Sequence, residues 1–334
     1  MTQARFPASR LTFRTVSGNV RADSSGRTPV SDAPYRAGLV AIVGRPNVGK
    51  STLMNALLGE KVAITADRPQ TTRDAIRGIL SREGYQVVFV DTPGIHDASK
   101  PLNRILVRRA LEVLEGVDAA VLVVDGADYA SGRINGLHRQ DRRILDVLKE
   151  AGLPTLVAIN KVDLVSKKVK LLPVADLFGK EPPVESLFMV SAEGADGTAD
   201  VLADLVARLP ESDGPLYDPE IVSDAPLRFH AAEIIRERIF RLTREEIPYA
   251  TAVEIERFDE STTPVEVLAR IYVEKDSQRG ILIGHEGEMI SKIRQGAVRR
   301  LNALVGAKVH LELHISVAKD WSQDQRRLKD LGYE

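Results

Sequence analysis

From residue 39 onward the chain alternates short, nearly unbroken apolar runs with stretches of helical period. The runs occupy residues 39–43, 87–90, 119–124, 155–159 and 187–190, and a helical pattern over 52–58 follows the first. A short apolar run without polar alternation is what a strand needs when helices cover both of its faces. Such strands, separated by helices, predict a doubly wound, mostly parallel α/β sheet with any ligand at the carboxyl ends of the strands.

A helical pattern over 198–209 runs into Pro210-Glu211-Ser212-Asp213-Gly214-Pro215 and Asp218-Pro219, a cluster of breakers that reads as a linker. Beyond Asp224 the pattern changes to a helix over 227–244, strands over 251–257 and 266–275, two helices after Ile281 and a strand over 308–318. That order, αββααβ, predicts a smaller α+β domain. The expected division is a tail over 1–36, a first domain over 37–209, a linker over 210–223, a second domain over 224–320 and a C-terminal tail over 321–334.

Composition narrows the classes. A chain of 334 residues has room for two cores. The formal net charge of −1 excludes coating of nucleic acid by bulk electrostatics, so an RNA contact would need a local basic face. The absence of cysteine removes disulfides, thiolate metal sites and thiol nucleophiles. No apolar run approaches the roughly 20 residues that span a bilayer. Residues 1–36 carry Arg5, Arg10, Arg14, Arg21, Arg27 and Arg36 against Asp23 and Asp32, which reads as a disordered basic tail. The Arg- and Ser-rich, acid-poor composition also resembles an organellar transit peptide, but its weak apolar face favours a plain tail.

Gly44-Arg45-Pro46-Asn47-Val48-Gly49-Lys50-Ser51, with Thr52 after it, follows a predicted strand and opens a predicted helix. In that setting the pattern is a phosphate loop: glycines let backbone N–H groups face the phosphates, and the helix N-terminus adds a favourable dipole. Lys50 would reach the β and γ oxygens and Ser51 would ligate Mg²⁺. Asn160-Lys161-Val162-Asp163 ends a later strand, where the Asp163 carboxylate can accept both N1–H and N2–H₂ of guanine, donors that adenine does not offer together. Asn160 would bind the base edge and tie down the phosphate loop. Ser191-Ala192-Glu193 closes the next strand, with a backbone N–H for the guanine O6.

Asp91-Thr92-Pro93-Gly94 follows another strand, so Asp91 can hold Mg²⁺ through water while the Gly94 N–H senses the γ-phosphate. Gln70-Thr71-Thr72-Arg73 lies between the two motifs, and Thr72 is the expected third Mg²⁺ ligand, present only with GTP. Lys50, Thr72 and Gly94 are thus the expected catalytic contributors. In this order and spacing the motifs resemble the Era family of GTPases from about Ala37 to Leu209. Because Ile95 follows Gly94, the glutamine that orients water in many small GTPases is missing. The resemblance implies water placed by backbone groups, with K⁺ held by Asn47 beside the phosphates.

Gly284-His285-Glu286-Gly287 places a GxxG between an apolar segment and a helix, and the αββααβ order around it resembles a type II KH domain. Such a loop packs its backbone against about four single-stranded nucleotides. Lys292, Arg294, Arg299, Arg300 and Lys308 lie within 291–311 with no acid among them, which supplies the local basic face. His285 and Glu286 stand where a lysine is commoner, leaving phosphate contacts to backbone amides and Lys292. The resemblance implies binding of the single-stranded 3′ end of 16S rRNA, assembly of the 30S subunit, a monomer in the cytoplasm, and peripheral contact with the inner membrane. The competing reading is an RNA adaptor that binds nucleotide without turning it over.

Overall fold

The computed structural model describes residues 10–12, 34–65, 73, 75–94 and 101–331. Its N-terminal half contains β1 (Arg10–Thr12), β2 (Arg36–Val43), α1 (Lys50–Leu58), β3 (Ile76–Arg82), β4 (Tyr85–Asp91), α2 (Pro101–Leu114), β5 (Ala119–Asp125), α3 (Gly126–Ala130), α4 (Arg139–Glu150), β6 (Thr155–Asn160), α5 (Leu172–Gly179), β7 (Val184–Met189) and α6 (Thr198–Arg208). Six strands form one sheet in the order β3-β4-β2-β5-β6-β7, parallel except for β3, which runs antiparallel to β4. One face is covered by α1 and α6 through Leu53, Met54, Leu57, Val201 and Leu205. The other is covered by α2, α4 and α5 through Ala110, Ile144, Leu148, Val174 and Phe178. The expected sheet is present; β3 is an addition. One face of this edge strand is mixed, with Arg77 and Ser81 flanking buried Ile79, so Ile76, Ile79 and Leu80 leave no continuous apolar run.

The C-terminal half contains β8 (Ile221–Pro226), α7 (Leu227–Leu242), β9 (Ala252–Asp259), β10 (Val265–Val273), α8 (Asp276–Ile283), α9 (Glu288–Val305), β11 (Val309–Val317) and α10 (Gln325–Asp330). Its sheet has the order β11-β10-β9, with β10 parallel to β11 and antiparallel to β9. Ile235 and Ile239 of α7 and Ile293, Ala297 and Leu301 of α9 pack on Val267, Ala269 and Ile271 of β10. The αββααβ order is observed, but α8 begins at Asp276, ahead of the expected start after Ile281. The Gln278 side chain accepts from the N–H groups of Glu274 and Lys275, at 2.9 and 3.0 Å, and so starts the helix early.

The segment expected as a linker is strapped to the sheet edge. Buried Gln86 exchanges two hydrogen bonds of 2.9 Å with the Tyr217 backbone. Ser223 donates to the Arg77 carbonyl at 2.8 Å, and Arg77 pairs with Asp224 at 2.9 Å. Inside the expected N-terminal tail, β1 pairs antiparallel with β8, whose open edge offers backbone partners, and Arg36 already belongs to β2. Residues 1–9 and 13–33 of that tail lie outside the described residues.

The two halves share a buried interface. Arg73 is 1% exposed and donates to the carbonyls of Thr251, Pro248 and Tyr249 at 2.8, 3.3 and 3.1 Å. Its guanidinium lies 5.6 Å from the ring centre of Trp321. Trp321, assigned by sequence to a tail, is fully buried and donates its indole N–H to the Ala250 carbonyl at 2.8 Å. Leu102 and Leu106 of α2 pack against Trp321, Ala252 and Leu328. Glu237 of α7, 1% exposed at its side chain, takes Lys61 at 2.7 Å and Arg241 at 2.8 Å, and also Arg300 of α9.

His230 of α7 is buried at the same interface. Burial lowers its pKa from 6.5 to about 4, against the opposing pull of Glu233, Asp224 and a hydrogen bond to the Val62 backbone. The folded chain therefore holds His230 neutral, while the unfolded chain takes up a proton near pH 6.5. Its contribution to stability is complete above the unfolded value and is lost as pH falls toward the folded one. The melting midpoint of the wild type is expected to drop more steeply between pH 6.5 and about 4 than that of His230→Gln, in parallel thermal scans.

Candidate functional site

The chain leaves β2 at Val43, turns through Gly44–Gly49 and enters α1 at Lys50. A Cβ on Gly49, whose φ is +100°, would come within 2.2 Å of the Asn160 amide nitrogen, so only glycine permits the approach. Lys50 is 7% exposed, and its ammonium donates to the carbonyls of Gly44 at 3.3 Å and Arg45 at 3.0 Å. Burial lowers its pKa to about 8, with the Asp91 charge opposing the shift. Asn47 is exposed in the left-handed region, φ 64°. Val48 is buried in the core and offers the site only its backbone.

Ser51 donates to Asp91 at 2.5 Å, which brings a hydroxyl and a carboxylate together at the mouth of the loop. Hard oxygen donors of this kind suit Mg²⁺, which keeps most of its shell as water and phosphate oxygen. Thr52 lies one residue further into α1, half-buried. Gly94 packs on the loop, since a Cβ there would meet the Pro46 nitrogen at 2.9 Å. Pro93 is buried between them and Thr92 is fully buried. The motif places Thr92 among the nucleotide contacts. Instead its hydroxyl donates to the Ile42 carbonyl at 2.9 Å, because a hydroxyl buried at a strand end must find an acceptor. Thr72, like Thr71 and Ile95, lies outside the described residues.

Asn160 joins three motifs. Its amide donates to the Val48 carbonyl at 2.8 Å and accepts from the Ala192 N–H at 2.9 Å. The Ala192 N–H, expected to meet guanine O6, is thus engaged by Asn160, which is 2% exposed and must satisfy its own carbonyl. Ser191 exchanges backbone hydrogen bonds of 3.0 Å with Asp196 and shapes the turn that leaves Glu193 exposed. Lys161, at φ 63°, pairs with Asp125 at 2.7 Å, and Asp163 projects exposed from the short 3-10 turn after it. Asp125 escaped the sequence reading. Its signal was available, since it ends an apolar strand beside the other motif-bearing strands.

At the second site Gly284 ends α8 at φ 73°, where a Cβ would meet Met289 at 2.8 Å. His285 and Glu286 are exposed at the tip, with Glu286 itself left-handed at φ 49°, and Gly287 opens α9. Arg294 and Arg299, with Val298, Val309, His310 and Leu311, line a cleft of about 520 Å³ between α9 and β11. Lys292 pairs with Glu288 at 2.6 Å, one turn back. Arg300 does not join the basic face. It points to α7, where its guanidinium pairs with Glu237, because a position on the helix-packing side of α9 needs its charge neutralised.

Residues 39–161 match the family model of the 50S ribosome-binding GTPase, and residues 246–322 match that of the KH domain. The GTPase Era of Geobacter metallireducens is 47% identical over 91% of this chain and 100% of its own length. That of Xylella fastidiosa strain M12 is 41% identical over 90% and 98%. The crystal structure of an Aquifex aeolicus Era variant bound to GDP and AlF₄⁻ superposes with a TM-score of 0.83, at 33% identity, covering 89% of this chain and 99% of that one. Era in complex with MgGDPNP and nucleotides 1506–1542 of 16S ribosomal RNA gives a TM-score of 0.84, at 32% identity, covering 90% and 99%. A phosphate-loop motif, the Asn160–Asp163 strand end and a GxxG turn, found in one chain with likeness along nine-tenths of its length, leave a single assignment: the chain belongs to the Era family of GTPases.

Proposed function

We propose that this GTPase is a nucleotide-gated RNA-binding switch that grips the single-stranded 3′ end of 16S rRNA and serves assembly of the 30S subunit. The observation that carries the gating is Arg73. It directly follows Thr72, the expected GTP-dependent Mg²⁺ ligand, and its guanidinium is buried against three carbonyls of the KH half. Any displacement of Thr72 when GTP is cleaved reaches the RNA-binding half within one peptide bond. Leu102 and Leu106, which follow the Asp91–Gly94 motif, meet the same surface. Both nucleotide-responsive segments therefore bear on one wall.

In this reading Ser51, Asp91 and Thr72 hold Mg²⁺, which supplies positive charge to the β and γ phosphates. Lys50 adds a second positive charge there, and the Gly94 N–H orients the phosphate. Asn47 is a candidate K⁺ ligand beside them. The GxxG backbone approaches the RNA, and Arg294 and Arg299 meet its phosphates in the cleft. Among the described residues no helix is long and apolar enough to cross a membrane. The reading carries a cytoplasmic monomer, with any membrane contact peripheral.

The test is GTP turnover in Mg²⁺ with K⁺ or Na⁺, with and without an RNA copied from the 16S 3′ end. RNA is expected to accelerate turnover, more so in K⁺. Gly284→Asp adds a Cβ where none fits and a negative charge beside the RNA backbone. It should weaken RNA binding at least about tenfold and abolish the acceleration. Turnover indifferent to RNA in both salts would instead support an adaptor that uses nucleotide only as a structural ligand.

A further inference from the structure

Glycines and Lys50 account for a phosphate cradle, yet the loop also carries Arg45, whose guanidinium is held in the corner between α3 and α4. Its Nε donates to Asp141 Oδ2 at 2.9 Å and an Nη to Asp128 Oδ2 at 3.3 Å. The guanidinium carbon lies 6.0 Å from the ring centre of Tyr129. The Tyr129 hydroxyl donates to the same Asp141 oxygen at 2.7 Å and accepts from the His138 N–H at 3.0 Å. Asp141 is fully buried, and the Tyr129 ring sits edge-on to buried Phe178, with centres 5.4 Å apart. Of the two carboxylates, Asp141 belongs to the core, whereas Asp128 is partly exposed.

The corner is also tied to the guanine motif. Asp128 donates its N–H to one oxygen of Asp125 at 2.9 Å, and the other oxygen takes Lys161 at 2.7 Å. On the loop itself, the Arg45 carbonyl accepts from Lys50, and the next residue, Pro46, is the one against which Gly94 packs. With two carboxylates around it, the Arg45 guanidinium is not offered to the phosphates as an internal arginine finger. Its carbonyl, however, holds the lysine that grips them, and its chain neighbour Pro46 packs against the glycine expected to sense them.

We propose that Arg45 is a positioning residue: Asp141 and Tyr129 hold its side chain so that the phosphate loop keeps its nucleotide-bound shape and releases GDP slowly. The inference rests on reading Gly44–Ser51 as the phosphate loop. A loop fixed before nucleotide arrives loses little freedom on binding, whereas a loop cut from its brace must be ordered by the nucleotide each time. The brace also explains why a buried carboxylate stands at the start of α4, where an exposed cap would have sufficed for the helix.

The test is release of a fluorescent GDP analogue from the full chain, by stopped flow well below the unfolding midpoint. The chains compared are wild type, Arg45→Ala, Arg45→Lys, Asp141→Asn and the double variant Arg45→Ala with Asp141→Asn. Arg45→Ala is expected to release about tenfold faster, Arg45→Lys to recover most of the difference, and the double variant to release no faster than Arg45→Ala. Guanine-over-xanthine preference, set by Asp163, should stay unchanged in all of them. Recovery by lysine together with unchanged base preference separates positioning from general loss of structure. Release within about twofold of wild type in Arg45→Ala, or single effects that add in the double variant, would overturn the brace. If Asp141→Asn fails to fold, Tyr129→Phe, which removes only a hydroxyl, takes its place in the cycle. A wild type that binds no GDP analogue would instead sink the reading of the loop.

Discussion

Asp163→Asn is expected to turn a guanine site into a xanthine site. Asp163 stands exposed in the turn after β6, while Asn160 behind it is fixed by hydrogen bonds to Val48 and Ala192. The substitution therefore changes base recognition and leaves the scaffold alone. A carboxylate accepts from both N1–H and N2–H₂ of guanine; the amide accepts one and sets its own N–H₂ against the other. Two opposed donors with no acceptor cost several kcal/mol, so GTP affinity should fall about 10²-fold or more. Xanthine has a carbonyl at C2, which the asparagine N–H₂ can meet, so XTP should become the preferred substrate. Equilibrium titrations with GTP and XTP decide the matter: GTP binding within about threefold of wild type would mean that Asp163 does not read the base.

The second large effect belongs to Trp321→Ala. The indole is fully buried among Leu102, Leu106, Ala252 and Leu328, it carries a hydrogen bond to Ala250, and it lies against Arg73. Truncating a side chain of this size in a packed core costs about 3–5 kcal/mol. For a domain of about a hundred residues that corresponds to a melting midpoint lowered by more than about 10 °C. Stability is only half of the prediction. The ring is also one wall of the socket that holds Arg73, so the variant, assayed in the cold where it stays folded, should hydrolyse GTP without responding to RNA. Trp321→Phe keeps a ring and loses the N–H, and it should restore the response in part. A cold-folded Trp321→Ala chain that still answers RNA would show that the signal travels elsewhere.

Much of this architecture was legible in the chain, for an identifiable reason. Strands buried on both faces leave little room for polar side chains, so β2, β4, β5 and β6 are written as mostly apolar runs, and phosphate chemistry demands glycines and a lysine at fixed spacing. What escaped depended on partners distant in sequence. Trp321 near the chain end reads as a terminal residue until Arg73 and Leu102, both more than two hundred positions earlier, are found against it. Arg300 reads as one more cation on a basic helix, because nothing local announces that Glu237 faces it across α7. Asp141 looks like an ordinary first-turn acid of α4, and only the fold brings Arg45 to it. The β3 edge strand was missed because edges keep polar residues that blur the period.

Trp321 is also the only tryptophan among the 334 residues. All indole fluorescence of the chain therefore originates at one place, the seam between the GTPase and KH halves, beside the Arg73 guanidinium. Emission from an indole without water around it lies toward the blue, and admitting water or moving a cation alters its colour and yield. The unlabelled protein thus carries its own optical gauge of the seam, which can be read as nucleotide, salt and RNA are exchanged.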